Sequence, residues 1–84
     1  MDELPKYQEL IPALIKVLTD SGRPLSNQEI EAGVVSELEI PSELTQIVHS
    51  GNRTELQYRL GWARTKAKAD GKITSPARQT WKIA

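Results

Sequence analysis

The sequence contains no cysteine and a single histidine, His49. Without cysteine the chain can form neither disulfides nor thiolate metal sites, and one imidazole does not assemble a zinc site by itself. No segment approaches the ~18 consecutive apolar residues of a membrane span. Acidic residues follow the initial methionine, where a signal peptide would have a basic segment. These absences predict a cytoplasmic protein that is neither secreted nor inserted in a membrane.

Catalytic motifs are also missing. The sequence has no GxGxxG or GxxxxGK[ST] phosphate-binding loop. The triplet Asp70-Gly71-Lys72 has the acid-x-Lys pattern of metal-dependent nucleases, but no predicted strand with a partner acid precedes it. We interpret it as the end of a helix followed by a basic residue. The acids between residues 29 and 43 are interpreted as a solvated face. We therefore expect no catalytic site, no metal and no cofactor in this chain.

The charged residues are sorted by position. Residues 1–48 carry three basic and nine acidic side chains, a net charge of −6. Residues 49–84 carry eight basic and two acidic side chains, a net charge of +6. The formal net charge of zero therefore hides a dipolar molecule. A basic face is typical of proteins that bind a polyanion such as nucleic acid, although an unevenly charged, solvated surface has the same composition.

The acidic half predicts two helices joined by a short extended segment. Apolar residues at steps of three and four predict helix 1 over residues 6–20, in which Pro12 requires either a bend or a later start near that residue. Gly22 favours the end of helix 1. A Ser-x-x-Glu pattern at residues 26–29 predicts a capping box at the start of helix 2. Ile40-Pro41 ends that helix.

The basic half begins with a short helical turn, predicted over residues 43–47 with Ser42 as its cap, and a loop at 49–51. Asn52 is then predicted to cap helix 3, which covers residues 53–70. At ~100° per residue one narrow arc of helix 3 is apolar and predicts a buried seam. The seam consists of Leu56, Leu60, Ala63 and Ala67.

Residues 72–83 predict a β-hairpin with Pro76 at its turn. Ile73, Trp81 and Ile83 are predicted to point inward. The resulting order is helix, short extended segment, helix, helix and hairpin, which is the order of a winged helix-turn-helix. The predicted fold class is therefore α+β, mostly α, with three main helices and a C-terminal wing.

Several short motifs resemble those of one known family. They are Tyr7 with Pro12 and Leu14, the run from Asn52 to Arg64, Asp70-Gly71, and Trp81-Lys82-Ile83. The most specific part is the Arg-x-x-Trp-Ala run, here Arg59, Trp62 and Ala63. From Leu4 to Ala84 the chain resembles the N-terminal domain of Mrr-type restriction endonucleases. It departs from the family at Ala67 and Lys72, where larger aliphatic residues are usual.

The resemblance implies a winged helix that recognises DNA and that, in the full enzymes, precedes a separate nuclease domain that cuts modified DNA. We therefore expect a single domain over residues 1–84, excised from a longer nuclease chain. Its expected partners are double-stranded DNA, methylated or unmethylated, and a C-terminal nuclease domain, and a homodimer stays open. Helix 3 is expected to enter the major groove, with the 72–83 hairpin as wing. The predicted DNA-binding residues are Asn52, Arg53, Thr54, Gln57, Tyr58, Gly61, Arg64, Thr65, Lys68, Lys72 and Arg78.

Two alternatives to a restriction-enzyme module stay open. One is a protein-interaction or dimerisation module, in which the basic half docks an acidic partner or the acidic half of a second copy. The other is a stand-alone transcriptional regulator. Winged helices serve all these functions, so fold does not decide between them. The outward face of helix 3 is polar and basic, which favours DNA over a protein partner.

Three residues of helix 3 have two interpretations each. We expect Trp62 to pack against the wing near Trp81, and the alternative is stacking on a base. Arg59 either pairs with an acid of helix 1 or 2 or contacts a phosphate. Gly61 costs a helix ~1 kcal/mol relative to Ala. It marks either a close approach of the helix to DNA or packing against a neighbouring helix.

Overall fold

The computed structural model describes residues 2–84, which form four helices and five short strands. The helices are α1 (Tyr7–Ser21), α2 (Asn27–Leu38), α3 (Ser42–Thr45) and α4 (Glu55–Ala69). The strands are β1 (Leu25–Ser26), β2 (Val48–Ser50), β3 (Arg53–Thr54), β4 (Ile73–Ala77) and β5 (Thr80–Ile83). Predicted helices 1, 2 and 3 correspond to α1, α2 and α4. The α+β fold class is confirmed, and the order of elements is compatible with a winged helix whose wing is β4–β5.

The core lies where the three long helices meet. Its least accessible side chains include Leu10 and Leu14 of α1, Ile30 of α2, and Leu60 of α4. The seam predicted for helix 3 is confirmed, since all four of its side chains are at most 1% exposed. Burial of apolar area contributes about 25 cal/mol per Å², so this face is what fixes α4 to the rest of the domain.

The first two helices follow their predicted end signals. α1 runs without interruption through Pro12, whose ring is exposed, so a later start near that residue is wrong. Gly22 ends α1 with a φ of 65°, a left-handed conformation that glycine adopts without strain. The predicted capping box of α2 is confirmed. The Ser26 hydroxyl accepts from the Glu29 amide at 3.1 Å, and the Glu29 carboxylate accepts from the Ser26 amide at 3.0 Å.

The segment before α4 differs from its prediction. The loop predicted at 49–51 is wrong in part, because β2 and β3 pair as an antiparallel ribbon. Asn52 lies at the turn of this ribbon and is not the cap of α4. Thr54 is the cap: its hydroxyl accepts from the Gln57 amide at 3.1 Å, and the Gln57 side-chain oxygen accepts from the Thr54 amide at 3.0 Å. Ser42, the other predicted cap, is already the first residue of α3.

The wing is part of a three-stranded antiparallel sheet with strand order β1-β5-β4. Its turn is formed by residues 78 and 79, and Pro76 lies within β4, so the predicted turn position is wrong. The register shifts beside Pro76, which cannot donate to a ladder. Ile73 is 2% exposed, as predicted. Ile83 is 37% exposed, because it lies at the end of β5 over an open cavity beside the end of α1. The prediction that its side chain points inward is therefore wrong.

α1 and α2 approach each other closely at Gly33. A Cβ atom added there would lie 2.6 Å from Cγ1 and 3.2 Å from Cγ2 of Val17. We expect Gly33→Ala to lower the free energy of unfolding by about 1 kcal/mol, because overpacking costs typically 1–3 kcal/mol and exceeds the gain in helix propensity. Urea denaturation measures this change.

The matched control is the same substitution in a Val17→Ala background. There the obstructing methyl groups are gone, so Gly33→Ala should be neutral or stabilising. An unchanged or raised urea midpoint for Gly33→Ala in the natural background would contradict the close approach.

Within residues 2–84, no helix combines the length and the apolar character that crossing a bilayer requires.

Candidate nucleic-acid interface

The outward face of α4 is flanked on one side by the β2–β3 ribbon. Arg53 of β3 extends its guanidinium over Gly61 of α4. A Cβ atom at Gly61 would lie 2.9 Å from Nη2 of Arg53 and 3.8 Å from Nη2 of Arg64. The glycine therefore leaves room for a charged side chain from the ribbon. No neighbouring helix occupies this space, so the packing interpretation of Gly61 is wrong.

Arg53 and Arg64 form a pair of like charges. Neither has a carboxylate within ion-pair distance in the part of the chain that the structure describes. Burial, and then the positive charge of Arg53, lower the pKa of Arg64, and the carboxylate of Glu31 opposes this only in part. Because arginine keeps its proton at any physiological pH, the pair concentrates positive charge, which Glu31, bordering a neighbouring cavity with both arginines, offsets only in part.

The far side of the same face is bordered by Trp81 of the wing. The indole Nε1 donates to Oδ1 of Asn27 at 2.7 Å, which fixes the half-buried ring against the start of α2. The guanidinium carbon of Arg64 lies 5.8 Å from the ring centre, and Nζ of Lys68 lies 5.9 Å from it. Both distances are within the ~6 Å range of cation–π attraction. Trp81 thus holds two cations on one side of α4.

An open cavity of about 480 Å³ lies between the ribbon and the wing. It combines aromatic, cationic and small polar side chains, and no acid lines it. The lining residues are Arg53, Tyr58, Gly61, Trp62, Arg64, Thr65 and Trp81. Five of the predicted DNA-binding residues therefore border one cavity. Lys68 lies next to it through its position beside Trp81.

The other predicted DNA-binding residues lie elsewhere or have bonded side chains. Thr54 and Gln57 hold the capping box, and Nε2 of Gln57 also donates to Glu31 at 3.3 Å. Asn52 lies at the ribbon turn, and Lys72 and Arg78 are exposed in the hairpin segment. These last three side chains are accessible, but they do not border the cavity.

A second cluster joins the ribbon, α4 and the N-terminal segment. Nε of Arg59 lies 2.7 Å from Oε2 of Glu55, and Nη1 of Arg59 donates to the carbonyls of Leu4 and Pro5 at 3.0 and 3.1 Å. Arg59 forms an ion pair, but the partner predicted on helix 1 or 2 is wrong, because Glu55 lies one turn earlier on the same helix. The hydrogen bond from Arg59, and then that of His49, lower the pKa of Glu55.

Three rings follow one another along the side of α4. The His49 and Tyr58 rings are stacked with centroids 3.8 Å apart and an interplanar angle of 13°. The Tyr58 and Trp62 rings meet edge to face at 6.4 Å and 80°. Trp62 is 54% exposed. The prediction that Trp62 packs against the wing is therefore wrong. The aromatic neighbour of Trp62 is Tyr58, one turn earlier on the same helix.

The acids do not form a metal centre. No three His, Asp or Glu side chains of residues 2–84 are grouped so that they could hold a metal ion. On the acidic half, Glu29 and Glu37 pair with Arg23 and Lys16 at 2.9 and 3.5 Å. Asp70 follows α4 and lies 3.4 Å from Lys66. The Asp70-Gly71-Lys72 triplet is thus the end of a helix, as predicted.

Comparison with known proteins identifies the family. Residues 7–84 match the sequence profile described as the Mrr N-terminal domain. No curated protein matches the chain. The matched range extends from the first residue of α1 through the wing and includes every residue that lines the cavity. The chain therefore belongs to the Mrr N-terminal domain family.

Proposed function

We propose that this domain binds double-stranded DNA within an Mrr-type restriction system, with α4 in the major groove and β4–β5 as wing. The observation that carries the proposal is the pair Arg53 and Arg64, which lies on the outward face of α4 without a carboxylate partner among residues 2–84. Lys68 adds a third positive charge beside Trp81. DNA phosphates would supply the ion-pair partners that these side chains lack among residues 2–84.

Arginine suits this role because its planar guanidinium binds a phosphate through two parallel hydrogen bonds. Two guanidinium groups held next to each other repel, and an anion between them removes that repulsion. Most hydrogen bonds between proteins and DNA go to phosphate and sugar, and they set the register of the protein on the duplex. The Arg53–Arg64 pair would therefore position α4, while its neighbouring side chains meet base edges.

The flanking elements fit the same geometry. The major groove is about 12 Å wide and admits one α-helix, so phosphates border the helix on both sides. Asn52 at the ribbon turn precedes α4 in the chain and Arg78 at the wing turn follows it, and both side chains are exposed. Phosphodiester hydrolysis in this proposal belongs to a separate domain. The domain itself should cleave no DNA with or without Mg²⁺.

A salt titration tests duplex binding directly. We expect non-specific dissociation constants of ~10⁻⁴ to 10⁻⁶ M at physiological salt, measured by fluorescence anisotropy with a labelled duplex. If Arg53, Arg64 and Lys68 each neutralise one phosphate, the logarithm of the association constant should fall with the logarithm of salt concentration with a slope of about −2.7. Binding that does not change with salt, or no binding at low salt, would contradict DNA recognition.

An acidic polypeptide of similar length serves as the competing ligand. A winged helix that docks proteins would bind the acidic polypeptide as tightly as the duplex. The positive charge of the two arginines alone does not exclude this protein-interaction alternative. We expect the duplex to bind more tightly, because the two guanidinium groups match the geometry of a phosphate. Equal binding of both polyanions would favour the protein-interaction alternative.

A further inference from the structure

We propose that Trp62 binds a nucleobase that has left the stack of the duplex, with Arg53 and Arg64 on the phosphate of the same nucleotide. The inference rests on the proposed DNA binding and adds to it the class of DNA that the cavity recognises. The ligand is a duplex that contains an unpaired, extruded base. Four observations on the described residues carry it: the exposure of Trp62, the fixed position of Tyr58, the occupied ring of Trp81 and the composition of the cavity.

The first observation is that Trp62 has no structural partner that explains its size. Its side chain lies on α4 beside the cavity and is 54% exposed, although tryptophan is among the residues that gain most from burial. Its ring touches Tyr58 only edge to face. More than half of this indole is therefore accessible to a ligand.

The second observation is that the ring is held in place. Tyr58 stacks on His49 at 3.8 Å, and Nδ1 of His49 lies 2.9 Å from Oε1 of Glu55. Glu55 is in turn paired with Arg59. Trp62 therefore packs against a ring that is itself held in place, so that the indole loses little further freedom when a ligand stacks on it. Preorganisation of this kind favours binding because less conformational entropy is lost.

The third observation separates the two tryptophans that line the cavity. Trp81 already has Arg64 and Lys68 over its ring, and its Nε1 is bonded to Asn27. Trp81 positions these two cations, so its ring is already engaged and is not free to stack on a base. Trp62 has neither a cation over its ring nor a hydrogen bond to Nε1 among residues 2–84. It is the ring that remains available to a planar ligand.

The fourth observation is the composition of the cavity itself. Gly61 has no side chain, and the hydroxyl of Thr65 donates to the Gly61 carbonyl at 3.0 Å. The guanidinium of Arg53 lies over Gly61, and the open cavity of about 480 Å³ next to Trp62 leaves space for a planar group beside it. The two arginines supply contacts for a phosphate at the side of that space. An aromatic surface beside cationic side chains is the combination that single-stranded nucleic acid binds.

Such a base cannot be part of an intact helix. Bases within a duplex expose only their edges in the grooves, so contact with the flat surface of an indole requires that the base be extruded. Extrusion costs least where the base has no pairing partner. The cavity should therefore distinguish DNA with an unpaired base from DNA that is fully paired.

Three labelled duplexes of one sequence test the proposal. One is fully paired, one has a single extra adenine in one strand, and one has an abasic residue in place of that adenine. The last two have the same interrupted backbone and differ only in the base. We expect the natural protein to bind the adenine duplex at least about five-fold more tightly than the abasic one, the lower limit for stacking of one base on an aromatic side chain. Fluorescence anisotropy at constant salt measures the ratio.

Variants of Trp62 identify the surface that is responsible. Trp62→Ala should reduce the ratio to about one. The salt slope for the paired duplex should stay the same, because Trp62 carries no charge. Trp62→Phe keeps a ring at the same position and should retain most of the preference. Ile83→Ala is the matched control, because Ile83 is also an exposed apolar side chain but borders the cavity beside Arg23 and Lys82. It should change neither quantity.

The outcomes separate this inference from the proposed function. Equal binding of the adenine and abasic duplexes by the natural protein overturns the base site, even when salt-dependent binding of the paired duplex is present. A preference that survives Trp62→Ala overturns it as well. Loss of salt-dependent binding to all three duplexes instead overturns the proposed DNA-binding function.

Discussion

Leu60→Ala is expected to lower the free energy of unfolding by about 2–4 kcal/mol, because it empties a buried position in a small core. Leu60 is 1% exposed at the centre of the contact between α4 and the other long helices. A domain of this size has a total stability of only about 5–10 kcal/mol. A loss of that magnitude should therefore be visible as a large shift of the urea midpoint.

Lys68→Glu is the matched substitution on the opposite face of the same helix. Lys68 is exposed, and exposed substitutions usually change stability by less than ~0.5 kcal/mol. The same change reverses a charge beside the cavity, so duplex binding should weaken. If Lys68→Glu unfolded the domain or Leu60→Ala left it unchanged, the orientation of α4 described above would be wrong.

Replacing Arg53 and Arg64 together by glutamine is expected to reduce duplex affinity by roughly 60-fold at about 0.1 M salt. Each phosphate neutralised by the protein contributes about 0.9 to the salt slope, so two lost contacts change the slope by about 1.8. The measurement is the salt titration by fluorescence anisotropy, repeated on the double variant. A weaker affinity with an unchanged slope would mean that the two arginines do not contact phosphates.

The double variant should remain folded. Arg64 is half-buried beside a like charge, so its replacement by a neutral side chain removes a repulsion and a desolvation cost. The urea midpoint should stay unchanged or rise. Lys82→Gln removes one positive charge from the cavity beside Thr19 and Gly22, away from α4. It controls for the effect of net charge, and its effect on the salt slope should be small.

Sequence periodicity was sufficient to predict the elements that are stabilised locally. The seam of α4 and the Ser26–Glu29 capping box are each encoded by residues within about three helical turns of one another, so each could be found without knowledge of the fold. The start of α4 shows where such reasoning ends. Both Asn52-x-x-Glu55 and Thr54-x-x-Gln57 match a capping pattern. Pairing of Val48 with Thr54 in the ribbon decides between them, and no local signal reveals it.

The candidate site was predictable in part for the same reason. The helical wheel placed Tyr58, Gly61 and Thr65 on one outward face, and all three border the cavity. It could not show that Arg53 reaches over Gly61 from a strand. Nor could it show that Trp81 is bonded to Asn27, 54 residues earlier in the chain. The wheel also placed Gln57 among the DNA-binding residues, because it does not reveal that the side-chain amide is already bonded to Glu31.

The pairing register of the β2–β3 ribbon determines where Arg53 lies, and this register can vary without any change in α4. Side chains on a strand alternate between its two faces, so a slip of one residue in the pairing turns each side chain to the other face. Arg53 lies over Gly61 only because Ser50 and Arg53 are paired in the present register. An insertion or deletion at the ribbon turn would therefore rotate Arg53 away from Arg64. Relatives that differ only in the length of this turn would then keep the same α4 but carry this positive charge in a different place.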